Sequence, residues 1–324
     1  MALPTHLRTA ASQGPSPPAA TQEALSHRLH PSLQGSMRAL TCAVALALSS
    51  AVWTGPVSAS PAAHRSQFRV IYEEPKNPAH EALYEELKSR HVLENLREFL
   101  SMVRLPRTLN LRLAGCDGED DAWYSPEDRT ITVCYEYLEE VRALAPKAAT
   151  PGGVTPENAL LGPLAEVFLH EVGHALFDQL HIPILGQEED AADQFAAFVL
   201  VHASPKTARD TMAGVAWMYG QQAKDANIDQ TSLADVHGLA AQRFYNTLCM
   251  AYGAEPGVFS DLVERKLLPK ERAEGCEDEY RQVAFAVQTL MGPYVDVAAR
   301  DKVLAKEWAA GKFRRRTTGD IQPK

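Results

Sequence analysis

Residues 170–174 read His-Glu-Val-Gly-His, inside an apolar run from Leu164 to Leu180 that has the length and make-up of a helix. Ala165, Val167, Phe168, Leu169, Val172, Ala175 and Leu176 make that helix apolar on most sides, so it belongs in a core. Two histidines and a glutamate in such a helix need partners, because burying polar groups without them costs several kcal/mol. At about 3.6 residues per turn, positions i and i+4 share one face. His170 and His174 can therefore bind one metal ion, with Glu171 about 100° round the helix, in reach of a water on that ion. Zinc suits two neutral imidazoles and a carboxylate, with a fourth position open to water. The competing reading is a surface helix with two satisfied histidines. Gly173 weakens a helix by about 1 kcal/mol relative to Ala. Its expected use is close approach of another backbone segment, a strand above the metal.

A third ligand must come from elsewhere. Pro183 and Gly186 break the first helix. A second starts near Glu188, with Ala192, Phe195, Ala196 and Val199 as its apolar stripe. Glu189 and Asp193 lie one turn apart on it and share a face. Glu189 is the expected third ligand. Asp193 is expected to accept the N–H of a ligand imidazole and fix its tautomer. Against this, Glu188, Glu189 and Asp190 also make an acidic first turn that simply complements the helix dipole. Seven helical residues past His174 carry the chain about 10 Å away, so the first helix must end early or the turn must fold back. Glu188, Asp190 and His181 are weaker ligand candidates.

His-Glu-Val-Gly-His followed by Glu189-x-x-Ala192-Asp193-x-Phe195-Ala196 resembles the H-E-x-x-H plus E-x-x-A-(D/N) pattern of gluzincin-type zinc metallopeptidases. The region from about Tyr72 to Tyr294 is similar to a bacterial family described only as a "putative metallopeptidase" domain of unknown function. Tyr124 to Glu136, the metal motif and Gln242-Arg243-Phe244-Tyr245-Asn246 carry that likeness. It implies a zincin fold and hydrolase chemistry, and it names no substrate. The spacing from His174 to Glu189 is shorter than in many gluzincins.

Residues 1–36 are poor in large apolar side chains and read as an extension without fold content. Met37-Arg38 opens a short apolar stretch, Ala39 to Trp53, and Val57-Ser58-Ala59 offers a small-x-small cleavage site. Met37 is thus the expected start and 37–59 a signal peptide, which predicts a secreted or periplasmic protein. An uncleaved signal acting as a membrane anchor is the alternative. With 1–59 removed, about 265 residues remain, enough for one large domain or two lobes around a cleft. The formal charge is −9 overall, and the removed part holds three arginines against one glutamate, so the remainder is more acidic still. That argues against nucleic acid or an anionic membrane as partner. Four of the five cysteines lie beyond residue 59. An even number in an exported chain suggests disulfides, with Cys116–Cys134 and Cys249–Cys276 favoured because each closes a local loop.

The remainder reads as α+β. Strands are expected at Gln67–Glu73 and Thr108–Ala114. A helix covers Ala79 to Val103, with a break near Arg90, and a hairpin pairs Ala122–Tyr124 with Thr130–Tyr135. A short helix follows, Tyr135 to Leu144, then a Pro/Gly/Thr linker, 146–156, into the metal helix. Beyond the two metal-bearing helices come Ser204–Gln222, a helix from Leu233 to about Tyr252 opened by Ser232, and helical segments to Leu290. The organisation is therefore a strand-rich part, 60–150, and a metal-binding helical part, 151–312, of one catalytic domain, with a flexible tail, 313–324. The expectation is a small mixed or antiparallel sheet, an active-site helix and a mainly helical C-terminal part.

The chemistry expected is hydrolysis of a peptide or protein substrate, with zinc on His170, His174 and Glu189 and with Glu171 as base and then acid. His237 is the first candidate for oxyanion donor and Tyr245 the second. The ordinary alternatives are a polar helix histidine and a core tyrosine. The sheet edge expected to align substrate is Thr130 to Tyr135. Two other readings share these residues: a zinc amidase acting on cell-wall amide bonds, and an exported zinc-binding protein without catalysis, marked by closed four-ligand coordination.

Overall fold

In a computed structural model the residues described are 67–305, 307–308 and 311–312. The expected extension and signal segment, and the tail from 313, lie outside them. Short β-branched and aliphatic runs form four strands: β1 Phe68–Tyr72, β2 Leu109–Ala114, β3 Ala122–Ser125 and β4 Thr130–Cys134. Their order in the sheet is β1-β2-β4-β3. β1 pairs with β2, and β2 with β4, in parallel, while β3 runs antiparallel to β4. A parallel pair needs a crossover. Helices α1 (Glu81–Ser89) and α2 (Val92–Leu100) supply it between β1 and β2. The expected break near Arg90 falls at His91, whose φ of 53° separates the two helices. Tyr72 at the end of β1 donates to Glu94 and accepts from Leu93 N–H, which fixes α2 against the sheet.

The Thr-Ile-Thr-Val-Cys run of β4 is buried throughout and paired on both sides. It is therefore not the sheet edge expected from the sequence. β3 takes that place. Its own pattern, half-buried and partly exposed, fits an edge strand, whereas β4 is buried at every position and its Thr130 and Thr132 hydroxyls accept from Asn110 and Arg112 of β2. Cys116 and Cys134 form a disulfide that ties the loop after β2 to the end of β4.

α3 (Tyr135–Leu144) leads to α4 (Pro156–Leu180), which begins earlier than the apolar run alone suggests. Thr155 accepts from Asn158 N–H as its N-cap and Pro156 holds its first turn, so residues 156–158 become helical. α4 is buried on nearly every side. It packs against the β3–β4 hairpin and against α5 (Glu188–Val201) and α6 (Pro205–Asp225). α7 (Gln230–Ala234) and α8 (Ala240–Ala254) follow, then one-turn helices α9 (Pro256–Phe259), α10 (Asp261–Glu264) and α11 (Lys270–Ala273). α12 (Cys276–Leu290) and α13 (Val297–Ala305) are the last helices, and a two-stranded antiparallel pair, β5 (Glu307–Trp308) and β6 (Gly311–Lys312), follows. A second disulfide, Cys249–Cys276, joins α8 to α12. The chain is thus α+β, with a small mixed sheet and a mostly helical C-terminal part.

The continuous helix expected from Leu233 is split. Asp229, not Ser232, caps α7: its side chain accepts from Ser232 N–H while the Ser232 hydroxyl accepts from Asp229 N–H. The chain leaves the helix at Asp235, whose side chain accepts the N–H of His237. Such local side-chain bonds offer the backbone an alternative to the helical ladder. His237 consequently sits on the connection between α7 and α8.

Candidate metal centre

α4 does not end soon after His174. It continues to Leu180, and His181, at φ 52°, closes it in the left-handed conformation. Gly186, at φ 106°, then lets the chain reverse, and α5 returns along α4. Gly173 is what allows the return to be close: a Cβ there would lie 3.3 Å from Ala192 Cα. The segment it admits is helix α5, not the strand expected above the metal. Ala192 lies between Glu189 and Asp193, so this contact sets both carboxylates opposite the histidines.

The Nε2 atoms of His170 and His174 are 3.1 Å apart. Glu189 Oε2 lies 3.1 Å from the first and 3.3 Å from the second. Donors bound at about 2.0–2.1 Å around a tetrahedral zinc stand about 3.3 Å apart, so this set has the spacing and the N/O chemistry that zinc takes. Glu171 is buried and has a carboxylate oxygen within 4.8 Å of the donors of both histidines. His237 arrives from the α7–α8 connection, with Nε2 2.9 Å from the same Glu189 oxygen.

Each imidazole is held at its other nitrogen. His170 Nδ1 is 2.8 Å from Asp193 Oδ1. His174 Nδ1 is 2.8 Å from Glu188 Oε1. Asp193 is fixed in turn by Arg243, which donates from Nε at 2.7 Å and from a terminal nitrogen at 2.5 Å. The guanidinium stands over the Tyr219 ring and 3.7 Å from Glu166, which accepts from the Tyr219 hydroxyl at 2.8 Å. Burial pushes the Glu166 carboxyl up, against the pull of Arg243.

Among the protein groups alone, burial pushes His170 down, but Asp193 and Glu189 outweigh it and hold its pKa up at about 10. The bond from His170 brings Glu189 down to about 2, against its own burial. Burial would raise Asp193, yet His170 and Arg243 bring it down to about 2. Glu171 is raised by burial, partly offset by the two histidines. Glu189 and Asp193 are therefore anionic across the neutral range, while Glu171 holds a proton more tightly than an exposed glutamate does.

The structure brings together His170, Glu171, His174, Glu189, Asp193 and His237. Tyr245 lies on the wall of a cleft of about 620 Å³ that His237, Asp235, Asp190 and Gln242 also line. Of the weaker ligand candidates, Glu188 is spent on His174 Nδ1. Asp190 faces the cleft, and His181 is exposed at the far end of α4. Sequence reasoning missed the roles of Glu188 and Arg243. For Glu188 the signal was its place one residue before the expected ligand. For Arg243 it was only its place in the Gln242–Asn246 block, at the half-buried start of α8.

No curated protein and no solved structure matches the chain. A family model does, over residues 72–291, and its description reads "Putative metallopeptidase". That span takes in the sheet beyond β1, the metal cluster, the cleft and both disulfides, and the chain belongs to this family.

Proposed function

We propose that the chain is an exported zinc-dependent peptidase that hydrolyses peptide bonds. The observation carrying this reading is the convergence of His170, His174 and Glu189 donors at 3.1–3.3 Å with the Glu171 carboxylate beside them. Those three side chains would hold zinc. Zinc there supplies a Lewis acid for a carbonyl oxygen and brings the pKa of a water to about 7. Glu171 takes the proton of the attacking water and gives it to the leaving nitrogen, one carboxyl serving as base and then acid. Its raised proton affinity suits that exchange. Asp193 and Glu188 hold the Nδ1–H of the two ligand histidines and so keep their Nε2 lone pairs on the cation. Tyr245, exposed on the cleft wall, is the phenol available to donate to an oxygen that gains charge.

β3 supports a peptide substrate. It is an end strand of the sheet and packs on α4, where the Tyr124 hydroxyl donates to Asp178 at 2.7 Å. An extended chain adding to it would lie next to the metal helix. Export is supported by the two disulfides. No helix among the described residues is long and apolar enough to cross a membrane. A second reading has an observation of its own: His237 adds a fourth donor, and a closed four-ligand set marks a zinc-binding protein without catalysis.

The test is hydrolysis of casein and of peptidoglycan by one preparation, before and after EDTA and after zinc is restored. The peptidase reading expects casein cleavage that is lost and regained with zinc. Release from peptidoglycan alone identifies an amidase, and inertness toward both substrates identifies the binding protein.

A further inference from the structure

Three imidazoles point at one carboxylate oxygen in this site, and all three are set up the same way. His170 turns Nδ1 to Asp193, His174 to Glu188, and His237 to Asp235 at 3.2 Å. A carboxylate at Nδ1 fixes the proton there and leaves the Nε2 lone pair for a cation. The Nε2 atoms of all three then meet Glu189 Oε2, that of His237 at 2.9 Å. The His237 ring also stacks on that of His170, with centroids 6.0 Å apart.

The segment carrying His237 differs from those carrying the other donors. α4 and α5 are rooted in the core, whereas residues 226–239 contain no buried side chain. Leu233 and Val236 are 67% and 63% exposed on it. A segment with so little buried apolar surface opens locally at low free energy.

We propose that His237 is a fourth, displaceable zinc ligand. It closes the coordination set at rest, and residues 226–239 must swing aside before a carbonyl oxygen can reach the cation. This rests on the zinc-peptidase reading and adds to it a built-in latency. It also reconciles a closed donor set with a retained Glu171, which a purely structural site does not need. The same histidine acting as oxyanion donor would require an N–H at Nε2 and would leave the cation with three protein ligands.

X-ray absorption at the zinc edge of the wild-type full chain, with no variant needed, should fit three imidazoles. His237→Ala should fit two. The variant should also lose at least about tenfold in zinc affinity by chelator competition, the scale seen when ligand support is removed. Acetohydroxamic acid, a small zinc-chelating probe, should bind zinc-loaded His237→Ala at least tenfold more tightly than wild type, because the competing ligand is gone. Two imidazoles in the wild type would overturn the proposal. So would a variant with unchanged zinc affinity and weakened acetohydroxamic acid binding, which marks a hydrogen-bond donor. Either result leaves the peptidase reading in place. Three imidazoles in the wild type, with both it and His237→Ala inert toward casein, would keep the ligand assignment and sink the peptidase reading.

Discussion

Replacing Asp193 by Asn removes a charge and keeps a shape. Asp193 accepts from His170 Nδ1 at 2.8 Å and from two nitrogens of Arg243 at 2.7 and 2.5 Å. The amide can still accept from His170, but its NH2 group then faces the guanidinium. Loss of such an outer partner of a metal ligand lowers metal affinity about 10–100-fold, or about 1.4–2.7 kcal/mol. The variant should also be less stable when stripped of zinc. Breaking a buried ion pair costs about 3–5 kcal/mol. Here Asp193 and Arg243 keep 22% and 19% of their side-chain surface, and Glu166 remains 3.7 Å from Arg243. Those contacts put the cost at about 3 kcal/mol or less. For a domain of this size that is roughly 6–12 °C in Tm. Competition with a chelating dye reads the first quantity, and thermal unfolding in EDTA reads the second. Zinc affinity within twofold of wild type would refute the claim that Asp193 orients a ligand. A fall in Tm alone would leave Asp193 a structural residue only.

Other perturbations test neighbouring links. Gly173→Val puts a branched side chain where Ala192 Cα already stands 3.3 Å from a Cβ, so it should push α5 away. Overpacking of about 1–3 kcal/mol should appear in urea unfolding, together with weaker zinc binding, because Ala192 lies between Glu189 and Asp193. In zinc-stripped protein, His170 is raised from 6.5 to about 10, so its stabilising contribution is complete below about pH 6.5 and lost as pH rises through 10. Glu189 and Asp193, depressed to about 2, contribute above about pH 4 and lose that as pH falls through 2. Urea unfolding in EDTA across pH should therefore show stability declining above neutrality, and a flat alkaline limb would contradict the His170 environment. Replacing Cys249 and Cys276 together by Ser opens a loop of 27 residues and should cost about 3.5 kcal/mol in the same assay.

The residues that make the site were visible because spacing in a helix is a distance. His170 and His174 had to share a face, and an apolar helix had to bury them. Glu189 and Asp193 followed from the same rule on the next helix. What remained open was the path between the two helices, which depends on left-handed turns at His181 and Gly186 and on the space at Gly173. A glycine announces close approach but not its partner, hence a helix where a strand was expected. The parallel pairing that buries β4 and leaves β3 at the edge is a non-local choice, and a hairpin pattern alone does not tell which of its strands lies outside. His237 was legible as a polar residue near a helix. Its aim at Glu189 depends on Asp235 ending α7, which periodicity over 233–252 conceals. Arg243 was part of a noted block, but its target lies 50 residues away.

The proposed hydrolysis turns on Glu171 handling a proton beside a cation held by other residues. Glu171→Gln keeps the volume and removes the base, so the most direct measurement is zinc content and casein turnover on one preparation of that variant. The prediction is one zinc per chain, as in wild type, and turnover lowered by at least about 100-fold, the lower bound for losing a general base. Wild-type turnover at full zinc content would contradict the account.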